Sequence, residues 1–249
     1  MVNAIVLPRY AFVKAWESGG YGKPHPVIGT DDLWLDGSAR KLLQREVGGL
    51  LEKAGAAVDG VPTPEFRRKL AVLARPEREC YAWISHHGEP GAALVAAIGG
   101  EAVRLVRDEK SVILDAARAD DLPGTVVDAL PDARAADIGE IVIPVSQYSA
   151  RGPATSEDYE LTMETRQQRP DPAARVRALM NAPRSGMHQL AAAARDRSGQ
   201  RRRGRTVTVI DLVEAGRILS YVGQPPNGEP MLHCVSGTRR ALLSTLAAG

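Results

Sequence analysis

The feature that most constrains the fold is a series of short apolar segments between residues 77 and 130. Turn-forming residues separate four of them: Glu79–Ser85, Ala92–Ile98, Ala102–Val106 and Ser111–Ala116. Short segments broken by Gly, Pro and Asp predict an antiparallel β-meander. A helix-spaced apolar stripe then follows, made of Leu122, Val126, Val127 and Leu130. It predicts a closing helix, which Asp120 or Asp121 can cap and in which Pro123 lies in the first turn.

The same order of elements returns near the C-terminus. The strand candidates there are Met187–Ala194, Thr206–Ile210, Gly216–Val222 and Met231–Val235. A helix follows, with Ser236 or Thr238 as its cap and with one apolar face made of Leu242, Leu243 and Leu246. Four strands and a helix, found twice, indicate an internal duplication in pattern rather than in residue identity.

This duplication predicts an α+β fold with two quasi-symmetric lobes, each an antiparallel β-meander with flanking helices. The lobes are expected to span residues 1–134 and 135–249 within one compact domain, with helices on one face of the sheet. The remaining expected elements are a strand at Val2–Leu7, helices at Arg9–Ser18, Asp36–Ala54 and Thr63–Ala74, a strand at Ile141–Pro144, a mobile loop at Ser149–Ser156, and helices at Glu157–Gln168 and Asp171–Asn181.

Composition excludes several classes of protein. The chain has 249 residues, 44% of them apolar and 25% charged, which is typical of a globular protein. A formal net charge of +2 gives no bulk attraction to nucleic acid or to a membrane. No membrane-length apolar run and no basic leader are present, so the expected location is the cytoplasm. Cys80 and Cys234 are expected to be free, buried thiols.

The first candidate site is the histidine pair at the predicted hairpin tip, His86 and His87, beside Glu89. Adjacent residues on a strand point to opposite faces and no third ligand is near in sequence, so no metal is expected. The alternatives are exposed turn histidines, a contact surface for a partner, or the site of a small-molecule enzyme. No GxGxxG, GxxxxGK[ST] or GxSxG pattern occurs, and neither catalysis nor a cofactor is predicted.

A second candidate is the basic stretch Arg201–Arg205, predicted at another hairpin tip. Clustered arginines can bind phosphates, which makes a nucleic-acid binder one alternative function. No aromatic residue alternates with these arginines to stack on bases. A solvated basic hairpin and a contact for an acidic protein partner are the other interpretations, and no nucleic-acid partner is predicted.

Several motifs resemble the EspG proteins, cytoplasmic chaperones of actinobacterial type VII (ESX) secretion systems. Leu73–Glu79, with the sequence LARPERE, is similar to the family's entry into its first meander. Val103–Asp108 and Thr208–Arg217 are similar to two further family patterns. The resemblance implies two quasi-symmetric α+β lobes and no catalysis. It also implies binding to the helical tip of a PPE protein paired with a PE protein, which shields an apolar surface until secretion.

The resemblance also implies where the partner binds. The family's contacts include a hairpin loop of the first lobe and helices of the second, which correspond by position to Ser85–Gly91 and Asp171–Asn181. The predicted contact residues are therefore His86, His87, Glu89, Arg175 and Leu179. The expected partner is a PE/PPE-like or WxG-like helical secretion substrate. Client-free chains could form a homodimer through the same surface.

The chain itself lacks the marks of such a secreted client. Clients of these systems resemble helical hairpins with a WxG turn and a YxxxD/E tail. None of the three tryptophans here is followed two residues later by Gly, and no tyrosine has an acidic residue four positions on. The sequence therefore favours a chaperone over a client.

Overall fold

Residues 4–29, 37–149, 171–225 and 228–247 are described by the computed structural model. A sheet of ten strands forms its centre. In chain order its strands are β1 (Ile5–Pro8), β4 (Arg78–His86), β5 (Glu89–Ile98), β6 (Glu101–Arg107), β7 (Ser111–Ala117), β8 (Glu140–Pro144), β9 (Arg184–Arg195), β10 (Arg201–Leu212), β11 (Gly216–Gly223) and β12 (Met231–Ser236). A separate small hairpin joins β2 (Ala57–Val58) to β3 (Val61–Pro62).

The helices within the described residues are α1 (Arg9–Ser18), α2 (Gly37–Lys53), α3 (Pro64–Ala74), α4 (Leu122–Val127), α5 (Val145–Ser149), α6 (Pro172–Asn181) and α7 (Arg239–Ala247). Four of these helices follow a residue whose side-chain oxygen accepts a hydrogen bond from a backbone N–H of the first turn. These capping residues are Thr63, Asp121, Asp171 and Thr238. Of the two candidate caps for α4, Asp121 is the one used, and Pro123 follows in its first turn.

Both predicted meanders are present. The strand order is β1-β7-β6-β5-β4-β9-β10-β11-β12-β8, and every strand pair is antiparallel. Each half is therefore a four-stranded meander with one extra strand at its outer edge. The halves meet where β4 pairs with β9, with Ala82 opposite Leu190 near the middle. The predicted mixed α+β class is confirmed, while the lobe boundary after residue 134 stays a prediction.

Helices cover both faces of this sheet, so the expectation of helices on one face is wrong. The first face, which bears Tyr81, packs against α1, α2 and α3 in one half and against α6 in the other. The second face, which bears Ala82, packs against α4 and α7. The reason lies in β5, where every residue from Ala92 to Ala97 is buried. A strand with an unbroken apolar run has to be covered on both sides.

Some elements differ from the prediction. Arg201–Arg205 lie within β10 rather than at a hairpin tip, because the turn before it is formed by residues 196–199. The β2–β3 hairpin and α5 were not predicted. The expected loop at Ser149–Ser156 and helix at Glu157–Gln168 lie outside the described residues, apart from Ser149, which ends α5. In the described part of the chain, no helix has the length and apolar character needed to cross a membrane.

Candidate partner-docking surface

The predicted hairpin between β4 and β5 is a tight two-residue turn. Its central residues, His87 and Gly88, have φ angles of 50° and 85°. Two successive positive φ values are typical of the type I′ turn, whose twist matches antiparallel strands. The backbone N–H of His87 donates to the carbonyl of Ser185 at 2.7 Å, so the turn is fixed to the start of β9. The side chains of His87 and Glu89 are exposed, and that of His86 is half-buried.

The end of α6 reaches the same end of the sheet. This follows from strand pairing, because His86 lies opposite Gly186 and α6 ends shortly before β9 begins. The guanidinium of Arg184 donates to the carbonyl of Met180 at 2.7 Å and holds this connection in place. The two regions that the family resemblance indicated are therefore neighbours, although they lie about a hundred residues apart in sequence.

The two predicted contact residues in α6, Arg175 and Leu179, differ in their exposure to solvent. Arg175 is exposed, and its guanidinium lies 3.4 Å from the carbonyl oxygen of Ile138. It is about one and two-thirds turns, roughly 9 Å, from the helix end. Leu179 is half-buried and packs against the core cluster between α6 and the second half of the sheet. Leu179 therefore serves packing at least in part, and only part of its side chain is accessible.

Three exposed apolar side chains lie beside the hairpin, and sequence reasoning did not single them out. Trp83 is 38% exposed, Met187 is 42% exposed and Val213 is 62% exposed. Trp83 and Met187 share the first face of the neighbouring strands β4 and β9. Val213 follows β10, and its N–H donates to the carbonyl of Pro183 at 3.0 Å. We call the set formed by Trp83, His86, His87, Glu89, Met187 and Val213 the hairpin-end surface. It wraps around the end of the sheet, because the cross-strand pair His86 and Glu89 lies on the second face.

A buried ionic cluster supports this end of the sheet from the second face. The guanidinium of Arg217 donates to both carboxylate oxygens of Asp211, at 2.6 and 2.8 Å. Nε2 of His188 lies 3.0 Å from the same carboxylate. Burial alone would raise the pKa of Asp211, but the hydrogen bonds from Arg217 and His188 lower it to about 2. All three side chains are almost fully buried, so the cluster is a structural support.

The metal and enzyme interpretations gain no support from this geometry. The rings of His86 and His87 lie edge to face, with centroids 4.2 Å apart. Burial, with the neighbouring His87 as a smaller contribution, lowers the pKa of His86. Across the described ranges, no group of three or more His, Cys, Asp or Glu side chains could hold a metal ion. Glu89 and His87 face solvent.

The arginines of β10 are engaged within the chain. Their partners are Glu79 for Arg201, Asp196 for Arg202, Thr206 for Arg203 and the ring of Tyr221 for Arg205. Arg201 reaches the almost fully buried Glu79, with Nε 2.5 Å from Oε1. These arginines alternate between the two faces of the sheet, with Arg203 over Tyr81 on the first face and Arg202 on the second, so they do not form the single cationic groove that a nucleic-acid backbone follows. The nucleic-acid interpretation is therefore not favoured.

An exposed apolar surface on a duplicated α+β scaffold is typical of proteins that bind other proteins. Residues 10–248 match the family model described as the EspG family, and the chain belongs to that family. No match was found among curated protein sequences.

Among solved structures, the chain is similar to the Mycobacterium tuberculosis type VII secretion system chaperone EspG5, whose structure was solved in complex with a PE25–PPE41 dimer. The identity is 15%, the match covers 98% of this chain and 94% of that one, and the TM-score is 0.67. At this identity the similarity concerns the fold.

Proposed function

We propose that this protein is a cytoplasmic chaperone of a type VII secretion system, which binds and shields the helical tip of a PE/PPE-like partner before export. Membership of the EspG family supports the proposal. So does the fold shared with a chaperone whose structure was solved with a PE25–PPE41 dimer. The protein acts by binding, without catalysis and without a cofactor.

The observation that carries the proposal is the hairpin-end surface. A large aromatic side chain such as Trp83 is usually covered in a folded protein, and here more than a third of it meets water. Met187 lies diagonally across the β4–β9 pair on the same face, and thioether side chains adapt to varied apolar partners. Clustered exposed apolar residues with a polar rim mark protein interaction sites.

The rim of this surface is polar and rigid. His87 lies at the tip of the turn, and His86 and Glu89 form a cross-strand pair on the second face at its base. The turn is tied to β9 through a backbone hydrogen bond of 2.7 Å. A surface that is already ordered loses little conformational entropy on binding. The mechanism is capping: the client's apolar tip is buried on this surface, which prevents its self-association until the chaperone is released. A client-free chain can use the same apolar residues to form a homodimer.

Co-expression with the PE/PPE-like or WxG-like protein encoded beside this gene tests the proposal. We expect a stable complex that co-purifies, with no catalytic turnover by either component. Isothermal titration calorimetry then compares the wild type with Trp83→Ser, and we expect the dissociation constant to rise at least about tenfold, since a buried aromatic anchor contributes on the order of 2 kcal/mol or more.

Val222→Ser is the matched control. Val222 is 46% exposed and lies near the far end of β11, away from the hairpin. We expect its effect on affinity to stay within about twofold, as for an ordinary surface position. The proposed site is contradicted if Trp83→Ser binds as tightly as the wild type. The proposed function is contradicted if no helical secretion substrate co-purifies.

A further inference from the structure

A second site lies at the opposite end of the central strands. On the second face of the sheet, a cavity of about 490 Å³ opens between the start of α4 and the end of α7. These helices are antiparallel neighbours, and an ion pair between Arg239 at the start of α7 and Asp128 at the end of α4 closes their other end. The cavity therefore lies between the start of α4 and the end of α7, and the ion pair joins these helices at their other ends.

The floor of this cavity is apolar and uncharged. Small and aliphatic side chains from two strands and both helices form it: Cys80, Leu122, Ala192 and Leu246. Burial raises the pKa of the Cys80 thiol to about 12, so the thiol stays neutral at physiological pH. Because the residues are small, the floor leaves room for an apolar group of a ligand.

The rim carries positive charge. Two guanidiniums of the lining belong to this face, those of Arg78 and Arg202. The guanidinium of Arg203 lies on the first face, over the ring of Tyr81. Arg202 is paired with the carboxylate of Asp196 at 2.9 Å, whereas Arg78, among the described residues, donates only to the carbonyl of Gly99 at 3.3 Å and supplies the unneutralised charge. A guanidinium has five N–H donors, so these bonds leave donors for a ligand.

The two acidic residues of the lining, Glu79 and Asp120, pair with arginines outside it and so do not neutralise the positive charge of the rim. Asp120 pairs with Arg118 at 2.8 Å, and Glu79 pairs with Arg201. Neither of those arginines lines the cavity. The site therefore combines an apolar floor with a rim that favours one negative charge.

We propose that this cavity binds a small amphiphilic carboxylate, a molecule with one apolar chain or ring and one anionic group. Guanidinium groups recognise carboxylates with short, charge-assisted hydrogen bonds, while the floor takes the apolar part. The site is separate from the hairpin-end surface. Arg78 and His86 are the two ends of β4, eight residue steps or about 26 Å apart at the usual rise of a strand.

The full chain can be titrated with 1-anilinonaphthalene-8-sulfonate, a fluorescent apolar ring system with one anionic group, and the bound probe then displaced with decanoate. We expect Arg78→Gln to weaken the decanoate-sensitive binding about tenfold, because a hydrogen bond to a charged group is lost. Ala194→Trp, at an exposed position of the lining, should abolish it by filling the cavity. Both positions are exposed, and circular dichroism checks that the variants fold.

Arg197→Gln is the control, since Arg197 is exposed on the adjacent turn, does not line the cavity and changes the net charge equally. It should leave binding unchanged. Decanol, which lacks the charge, should fail to displace the probe. Three results would overturn the proposal: unaltered decanoate-sensitive binding in Ala194→Trp, displacement by decanol as effective as by decanoate, or loss of that binding in Met187→Ser, which would place it on the hairpin-end surface.

Discussion

A single buried arginine fixes the segment that follows α4 to the second half of the sheet. Arg217 pairs with Asp211 and also donates to the carbonyl of Pro131 at 2.6 Å. Replacing it with Met leaves a buried carboxylate without its main partner, which costs about 3–5 kcal/mol of unfolding free energy. Urea denaturation measures the loss. Arg118→Met, which removes an exposed ion pair with Asp120, should cost no more than about 1 kcal/mol. Equal losses in the two variants would show that the Asp211 pair is not a special support.

A buried histidine makes stability depend on pH. His25 lies 3.6 Å from Glu79 and 3.4 Å from Arg201. Burial, followed by the charges of Arg201 and Arg203, lowers the pKa of His25 to about 4. The nearby Glu79 is itself paired with Arg201. The unfolded chain binds the proton more tightly than the folded one. Stability is therefore full above about pH 6.5 and falls as the pH drops towards 4.

His25→Gln tests this linkage because it removes the titrating group. We expect the wild type to lose at most about 3 kcal/mol between pH 7 and pH 4 through His25, a loss that the variant lacks. Urea denaturation at pH 7, 5 and 4 gives the difference between the two proteins, in which the titration of other carboxylates cancels. Parallel stability curves for the two proteins would contradict the assignment.

At the scale of elements, His87 in the β4–β5 turn has a role in the turn conformation and a proposed role in partner binding, which substitutions can distinguish. His87 has a positive φ of 50°, which Asn tolerates and a β-branched residue does not. We expect His87→Asn to keep its unfolding free energy within about 0.5 kcal/mol, and His87→Val to lose roughly 1–3 kcal/mol. Client affinity should fall in His87→Asn if the imidazole contacts the partner. Unchanged affinity, measured by calorimetry, would limit His87 to the turn.

The elements that the sequence predicted are those with local signals. Thr63 and Asp171 mark helix starts because their side chains bond to the next backbone N–H groups, which depends only on neighbours. The prediction that Arg201–Arg205 lie at a hairpin tip was wrong, because β10 begins at Arg201, before the apolar pattern of Thr206–Ile210. Arg201 pairs with the buried Glu79 of β4, and a contact of this kind depends on which strand lies near in the fold.

At the scale of the whole molecule, no local pattern revealed how the two meanders join. The pairing of β4 with β9 brings the hairpin and the end of α6 together, which makes the hairpin-end surface. Alternation along β4 places Trp83 on the same face as Tyr81. It could not show that the helical layer covers Tyr81 and leaves Trp83 38% exposed. The hairpin residues of the candidate site were recognised from the turn pattern and assigned to partner binding by the family resemblance, and its apolar residues were found only through the fold.

The joined sheet predicts that neither lobe is stable alone. Cutting the chain after residue 134 would expose the nine-residue edge of β4 and the facing edge of β9. It would also divide the core cluster on the second face, to which Ala82 contributes from one lobe and Leu190 from the other. An open, apolar strand edge favours aggregation. We expect fragments 1–134 and 135–249 to lack cooperative unfolding when expressed singly, and to associate when co-expressed, as judged by affinity co-purification and circular dichroism.

Two variants test whether the fragments associate through the β4–β9 pair, one within that pair and one away from it. Leu190→Asp in the second fragment places a charge at a fully buried position opposite Ala82, so it should abolish association. Val222→Asp changes an exposed side chain on β11 and should leave association intact. A single fragment that unfolds cooperatively as a monomer would contradict the prediction, and each lobe would then be a domain in its own right. Association that survives Leu190→Asp would place the main contact between the lobes elsewhere than the β4–β9 pair.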